Sequence, residues 1–264
     1  MRMRGDKTAV YRNELGQELV MDNRTIFLES IDMTGGPGIH VSESLAGADG
    51  QVTVDSRLSA KTIPCKIALY DRQWDDDLRE RIADILSPLL SGVLTVYTRS
   101  AKYSIDVRPQ DSPTFTRESL RVWKFNVDFV ADFPYWRLGE ELPVPLTAAN
   151  TVFFSDCVFD LPVRISFPAD LSTQFGFQWS KTGEANSWST AKGFTVANGN
   201  PAMIVDTKNC TVKTAADGTN CNQYIDASAP LNVMKIRHGY NKIYCLSGYD
   251  SVTVTYYRLS QGEA

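Results

Sequence analysis

One aromatic stretch, residues 123–137, constrains the fold of this chain more than any other, and it reads WKFNVDFVADFPYWR. From Trp123 to Phe129 every second side chain is large and apolar, and the positions between are Lys, Asn and Asp. An alternation with a period of two residues is typical of a strand that buries one face. Pro134 has no N–H group, so the segment cannot continue beyond it as a central strand. The stretch therefore predicts a strand that closes a first domain and leads into a junction.

Charged residues are unevenly distributed along the chain of 264 residues. Residues 1–137 contain 38 Asp, Glu, Lys and Arg side chains, whereas residues 138–264 contain only 20. The length alone is that of about two domains. We therefore predict an N-terminal domain over residues 1–137, a linker over residues 138–145 and a C-terminal domain over residues 146–264.

The end of the first domain is also the predicted contact between the domains. Aromatic side chains bury a large apolar area, and a neighbouring proline fixes the backbone that carries them. We expect four residues to pack one domain on the other: Phe133, Pro134, Tyr135 and Trp136.

The N-terminal domain is predicted to be α+β, a β-sandwich or barrel with one amphipathic helix. The helix pattern starts at the acidic run 75–77, which suits the positive end of a helix dipole, and it ends at Pro88 and Gly92. Consecutive helical positions point about 100° apart, so these aspartates cannot converge on one metal ion. The glycine-rich segment 35–38 predicts a loop, because no Gly-Lys-Ser/Thr and no helix pattern follow it. The predicted apolar stripe of the helix comprises Leu78, Ile82, Ile85, Leu86 and Leu89.

The C-terminal domain is predicted to be an antiparallel β-sandwich. Short alternating segments follow one another from residue 159 to the end, separated by turn residues and without a helix pattern. Pro162 indicates an edge position for the first of these strands. Gly239 and Asn241 are expected to adopt unusual backbone angles between two late strands.

Composition argues against several functions. The net charge is −4, and neither domain has the basic excess of a nucleic-acid-binding protein. No segment approaches the ~18 consecutive apolar residues of a membrane span, and the first residues do not resemble a secretory signal. We therefore expect no nucleic-acid binding and no membrane insertion.

Candidate chemical groups are sparse. His40 and His238 are far apart and have no carboxylate or cysteine at ligand spacing, and Asp156 and Asp160 resemble a hydrolase pair only in residue type. We expect no enzyme activity, no metal and no cofactor.

Two further features leave alternatives open. Cys210 and Cys221 flank a turn signal at Asp217-Gly218 and are compatible with a disulfide, although free buried thiols are favoured. Trp188, in the polar stretch 180–192, is the candidate for contact with a glycan or a protein, whereas Trp179 is in phase with a core strand.

Two phrases of the sequence resemble a known family. The segment FVADFPYW at residues 129–136 ends the first domain, and VMKIRHGYNKIY at residues 233–244 precedes a closing strand VTVTYY at residues 252–257. Together they resemble the distal tail (Dit) proteins of long-tailed bacteriophages. The stretch 180–200 matches nothing in that pattern.

The resemblance implies a structural virion protein, the distal tail hub that connects the tail tube to the tail tip or baseplate. It implies a homohexameric ring of N-terminal domains and a galectin-like C-terminal sandwich. The implied partners are the tail tube protein, the tail-tip or baseplate hub protein and a receptor-binding protein. The implied location is the distal end of the virion tail, after a stage in the host cytoplasm. The alternative function is a carbohydrate-binding β-sandwich protein that takes part in adsorption to the host surface.

Overall fold

The computed structural model of the chain describes residues 7–44, 51–70 and 76–261. These residues form two compact units. Unit 1 extends as far as Gly139 and includes the chain again from Ser260, and unit 2 comprises Glu140–Leu259. The division between them falls close to the predicted boundary at residue 137.

Unit 1 is built from antiparallel strands and one helix. The elements are β1 (Thr8–Asn13), β2 (Glu18–Met21), β3 (Ile26–Ile31), β4 (Gly38–Ser44), β5 (Gln51–Leu58), β6 (Lys61–Tyr70), α1 (Asp76–Ile85), β7 (Gly92–Tyr97), β8 (Lys102–Pro109), β9 (Thr116–Arg117) and β10 (Val122–Ala131). One ladder runs in the order β2-β1-β7-β8, and a second runs in the order β8-β10-β6-β3 with β9 beside β10.

The aromatic strand predicted at the end of the first domain is confirmed as β10. Phe125, Val127 and Phe129 are buried in the core of unit 1, and Trp123 packs against that core. The rings of Tyr11 and Phe129 lie 5.0 Å apart, which joins β1 and β10 across the core.

The predicted helix is also confirmed, because α1 places one apolar side on the core. Ile82 and Leu86 are buried, and Leu78 and Ile85 pack partly against the same cluster. The prediction for Leu89 is wrong, since this side chain is 90% exposed. The helix ends at Ile85, and the turn that contains Pro88 carries Leu89 away from the apolar stripe.

The acidic run and the glycine-rich segment have mixed outcomes. Asp77 is exposed in the first turn of α1, and Asp75 lies outside the described residues. Residues 35–37 form the predicted loop. Gly38, in contrast, opens strand β4, which pairs with β5 as a two-stranded sheet.

Unit 2 is a sandwich of two antiparallel sheets, as predicted. The strands are β11 (Trp136–Val144), β12 (Asn150–Ser155), β13 (Leu161–Phe167), β14 (Thr173–Trp179), β15 (Lys192–Val196), β16 (Met203–Asp206), β17 (Thr211–Thr214), β18 (Ile225–Ala227), β19 (Lys235–Ile236), β20 (Gly239–Cys245) and β21 (Thr253–Ser260), together with 3-10 turns at Asn222–Tyr224 and Leu231–Val233. Strand β11 belongs to unit 2 from Glu140 onward, and β21 belongs to it as far as Leu259. One sheet has the order β17-β16-β13-β21-β11, with β19 beside β13, and the other has the order β12-β20-β14-β15-β18.

The inner faces of the two sheets form one core. Phe167 of β13 lies 5.5 Å from Phe175 of β14 and 5.8 Å from Phe194 of β15, in edge-to-face contacts. Trp179 is buried in the same core, and its indole N–H donates to the carbonyl of Lys235 at 2.8 Å. This confirms the interpretation of Trp179 as a core residue.

Three local predictions require correction. Strand β13 is paired on both sides, so it is not an edge strand, and Pro162 is tolerated because it lies at the start of the strand. Most of the segment 138–145, predicted as a linker, belongs to β11. Gly239 has the expected positive φ of 93°, but Asn241 lies in strand β20 and is fully buried.

Candidate interaction surfaces

The four residues predicted to pack the domains together lie at the start of β11 and just before it. Trp136 is fully buried in the core of unit 1, edge-on to Tyr103 with ring centres 6.4 Å apart. Pro134 is also buried, whereas Phe133 and Tyr135 are half-buried with their rings 5.0 Å apart. The aromatic phrase therefore stabilises unit 1, and its role between the domains stays a prediction.

An almost fully buried lysine accompanies Trp136. The ammonium group of Lys61 lies 5.4 Å from the centre of the Trp136 ring and donates to the carbonyl of Thr34. Burial lowers the pKa of Lys61, and the charge of Asp32 opposes this shift. The pKa of Asp32 is lowered mainly by hydrogen bonds from Thr34, with a smaller contribution from Lys61. These groups fix the segment before β4 against β6.

Trp188 does not lie in an open loop. It pairs with Ser180 in an isolated antiparallel bridge, and the neighbouring Ser189 exchanges hydrogen bonds with the backbone of Trp179. The indole is half-buried, and the ammonium group of Lys242 lies 5.7 Å from its ring centre. One candidate contact residue is thus held against the outer face of the sheet that contains β20.

That outer face is aromatic, and sequence reasoning missed it. The register of β12 against β20 places Asn150 beside Tyr244, Val152 beside Lys242 and Phe154 beside Tyr240. The rings of Phe154 and Tyr240 lie 5.2 Å apart, and Phe154 is 57% exposed. We refer to Val152, Phe154, Tyr240, Lys242 and Tyr244 as the aromatic face.

Tyr244 is built into this face and does not stand free of it. A Cβ atom on either Gly176 or Gly193 would lie 2.3 Å from the Tyr244 hydroxyl oxygen, so the tyrosine lies across two glycines of neighbouring strands. Burial raises the pKa of Tyr244. The ring fills a groove that two larger residues would otherwise close, which leaves Phe154 and Val152 as the accessible part of the aromatic face.

The aromatic face escaped prediction because β12 does not alternate. Its sequence NTVFFS places apolar residues side by side, since Phe153 faces the core while Val152 and Phe154 face outward. A strand with two apolar faces gives no signal of period two. In the sequence, the sign of this outward-facing apolar surface was the run Val152-Phe153-Phe154 between polar residues.

The cysteines are free thiols, and the possible metal ligands do not cluster within the described residues. All five cysteines are free thiols, so Cys210 and Cys221 are not paired. Burial raises the pKa of the thiols of Cys65, Cys221 and Cys245, which disfavours the thiolate. Within residues 7–44, 51–70 and 76–261, no group of three His, Cys, Asp or Glu residues is arranged to hold a metal ion.

The two histidines lie in different units of the structure. His40 is exposed in unit 1, and His238 lies in unit 2 with its ring 6.0 Å from Phe154. A search of the described residues for a helix that is long and apolar enough to cross a membrane finds none.

The fold assembled from these units is one found in phage tail and baseplate proteins. No family model and no curated protein sequence matches the chain. Among solved structures, it is similar to the Dit protein of phage SPP1, described as a paradigm of the hub adsorption apparatus in phages that infect Gram-positive bacteria. The TM-score is 0.64 at 15% identity, over 96% of this chain and 99% of that chain.

The chain is also similar to a chain of the phage P2 baseplate in its activated conformation. The structure with Ca matches with a TM-score of 0.59 at 10% identity, over 97% of this chain and 99% of the other. The structure with Sr gives the same TM-score and identity, over 98% and 100%. The predicted resemblance to distal tail proteins is therefore confirmed at the level of the fold, across nearly the whole chain.

Proposed function

We propose that this chain is a structural protein of a phage tail, the distal hub that connects the tail tube to the tail tip or baseplate. The observation that carries the proposal is the match in fold to a Dit protein over nearly the whole chain. The matched part of this chain includes both unit 1 and unit 2. A match to a single domain is compatible with many functions, but a match over 96% of the chain includes the combination of both units.

In this proposal unit 1 forms a homohexameric ring and unit 2, a galectin-like sandwich, faces outward. The partners are other copies of the chain, the tail tube protein and the tail-tip or baseplate hub protein, with a receptor-binding protein on unit 2. The protein is made in the host cytoplasm and resides at the distal end of the virion tail. A hub needs contact surfaces and no reaction centre, which agrees with the composition of the aromatic face.

Light scattering on the purified full chain tests the ring. The expected result is a mass of six copies, alone or after addition of the tail tube protein. Gold labelling of the chain in intact particles tests the location, and we expect label at the distal end of the tail. Monomers under all conditions, together with particles that lack the chain, would exclude the hub.

The alternative of a carbohydrate-binding protein has weaker support. A sugar platform requires an aromatic ring with one free face. Lys242 lies over the Trp188 ring and Tyr244 lies against two glycines, which leaves the 57% exposed Phe154 as the accessible ring and gives no platform of several rings. A glycan array probed with the full chain separates the two functions: specific binding that disappears in Trp188→Ala would favour adsorption to a glycan.

A further inference from the structure

Strand edges in unit 2 are of two kinds. Exposed edges invite pairing with other chains, and natural sheets discourage it with charged residues or with very short strands. Strand β17 carries the exposed Lys213, and β18 is only three residues long and carries the exposed Asp226. Strand β12 has six residues and not one charged side chain. The protection found at β17 and β18 is therefore missing at β12.

The other side of β12 is open. Among the described residues, β20 is the one strand that pairs with β12, so the opposite edge has backbone donors and acceptors without a neighbouring strand. Val152 is 45% exposed and Phe154 is 57% exposed beside this edge. Val158, just beyond the strand, is 87% exposed. An apolar, uncharged edge of this kind suits the addition of a strand from a partner.

The charge on the aromatic face is unbalanced. Lys242 is the one charged side chain that faces outward on β20, and no carboxylate of the described residues forms an ion pair with it. It lies in the same row as Val152. The next residue of that row on an added strand would lie beyond Val152, about 9.5 Å from the backbone of Lys242. The side chains of Glu and Lys are long enough to meet over Val152, so an acidic residue there would complement the ammonium group.

We propose that β12 accepts an extended segment of another tail protein as a sixth strand of its sheet. The segment carries apolar side chains that pack on Val152 and Phe154 and a carboxylate directed towards Lys242. The proposal rests on the proposed hub function, because the partner is a component of the tail. It adds a site, a mode of binding and a chemical class of partner to that function.

Size favours an extended segment over a second copy of the chain. A standard protein interface involves about 20–30 residues on each side. Pairing of β12 with β12 of another copy brings together strands of six residues and adds a second uncompensated Lys242 to the same sheet. An extended segment obtains its affinity from main-chain hydrogen bonds along the whole edge and requires no second folded surface.

A defined peptide tests the site with the full chain. The probe is a fluorescein-labelled peptide of alternating Val and Thr with one central Glu, measured by fluorescence anisotropy. We expect saturable binding that Val152→Lys weakens at least about tenfold, since a lysine is a natural edge protector. Val20→Lys is the matched control, because Val20 is 43% exposed on β2 of unit 1. It should leave binding unchanged.

Two further controls identify the mode of binding. N-methylation of alternate residues of the probe removes the N–H groups along one edge, and one of the two possible patterns should abolish binding. Replacing the Glu of the probe by Gln should weaken binding to the native chain and have no effect on Lys242→Gln. Thermal melting verifies that Val152→Lys is folded, as expected for an outward-facing side chain.

Several results would overturn the proposal. These are the absence of saturable binding, equal binding by Val152→Lys, equal binding of both N-methylated probes, or a doubled mass without probe that Val152→Lys removes. Virions separate this failure from failure of the hub function. Tails that contain Val152→Lys and retain every other tail protein exclude the β12 site alone, whereas tails that lack the native chain exclude the hub.

Discussion

Strands β10 and β20 have similar places in unit 1 and unit 2, but their solvent faces differ. In the middle of β10 the outward side chains are Lys124, Asn126 and Asp128, and Lys124 forms ion pairs with Glu29 and Glu118 at 3.1 and 3.0 Å. On β20 the outward side chains are Tyr240, Lys242 and Tyr244, with Phe154 of β12 beside them. On the β10 face the lysine is paired within its own unit, whereas the β20 face is mostly aromatic and its lysine has no ion pair among the described residues.

The difference bears on the assembly proposed above. Internal ion pairs on an exposed face contribute little to stability, but they keep a sheet hydrated and disfavour nonspecific pairing. Aromatic residues are enriched, and most charged residues depleted, at the centre of protein interfaces. The comparison therefore supports the contact proposed for the outer face of unit 2, in addition to the ring proposed for unit 1, and variants of either unit can break or sharpen it.

The largest expected effect is in the core of unit 1. Trp136→Ala should lower the free energy of unfolding of unit 1 by about 3–5 kcal/mol, because it removes a fully buried indole. Hydrogen exchange followed residue by residue measures this in each unit separately. Phe175→Ala, which empties an equivalent position in unit 2, is the matched variant.

A second variant separates packing from polarity at the same position. The indole N–H of Trp136 is buried and has no hydrogen-bond partner among the described residues, so Trp136→Phe loses area but no hydrogen bond. We expect it to be much less harmful than Trp136→Ala. Equal losses in the two variants would contradict the account of Trp136 as a packing residue.

A smaller loss is expected in unit 2 at Asn241, which closes the turn before β20. Its side chain accepts from the N–H of Arg237 at 2.8 Å and donates to the carbonyls of Arg237 and Gly239 at 2.8 and 2.9 Å. Asn241→Ala leaves buried backbone groups unpaired and should cost about 2–3 kcal/mol. Urea denaturation measures the cost. Asn186→Ala, which removes one exposed hydrogen bond to Glu184, should change stability by less than about 0.5 kcal/mol.

Asn241 also illustrates what sequence reasoning reaches. The positive φ of Gly239 was predictable, because glycine has few other uses between two strands. The role of Asn241 was not, since its partners depend on the path of the backbone around the turn. Periodicity found β10, α1 and the core residues of β14, where one face is apolar and the other polar. It failed for β12, where both faces are apolar, and that failure coincides with the proposed binding edge.

Alkaline pH should affect the two units differently. Burial raises the pKa of Cys221 and Cys245 in unit 2 above their usual 9.0. A group with a raised folded-state pKa stabilises the fold fully below its unfolded-state pKa and loses that contribution as pH rises through the folded value. Unit 2 should therefore lose stability as pH rises above 9.0.

Unit 1 contains groups with raised pKa values and one group, Lys61, with a lowered pKa, and their contributions to stability change with pH in opposite directions. The raised pKa of Cys65 and the pKa of about 12 at Tyr11 act as in unit 2. The pKa of Lys61 is lowered by burial, so the unfolded state binds more protons between that lowered value and 10.5, and this contribution to stability rises with pH. The lowered pKa of Lys61 therefore opposes the raised pKa values in unit 1, and Lys61→Met should steepen the alkaline loss of stability in that unit, as measured by urea denaturation at a series of pH values. An unchanged pH dependence in Lys61→Met would contradict this account of the buried ammonium group.

The smallest effect concerns the ion pairs themselves. Arg137 and Asp106 are joined by two hydrogen bonds, at 2.6 and 3.3 Å, with Arg137 mostly buried and Asp106 more exposed. Arg164 and Glu141 in unit 2 form a single contact of 2.9 Å with the arginine more exposed. A bidentate ion pair is stronger than a pair joined by a single contact. Because both pairs are partly exposed to solvent, we expect coupling energies of only about 0.5–1 kcal/mol.

Double-mutant cycles with Arg137→Gln, Asp106→Asn, Arg164→Gln and Glu141→Gln measure the two coupling energies. We expect the pair in unit 1 to have the larger coupling and both couplings to shrink in 1 M salt, because salt screens exposed charges. Couplings above about 2 kcal/mol in unit 1 would mean that its charges stabilise the fold itself. Small couplings would mean that these pairs, like other exposed ion pairs, contribute little to stability and mainly keep the protein surface hydrated.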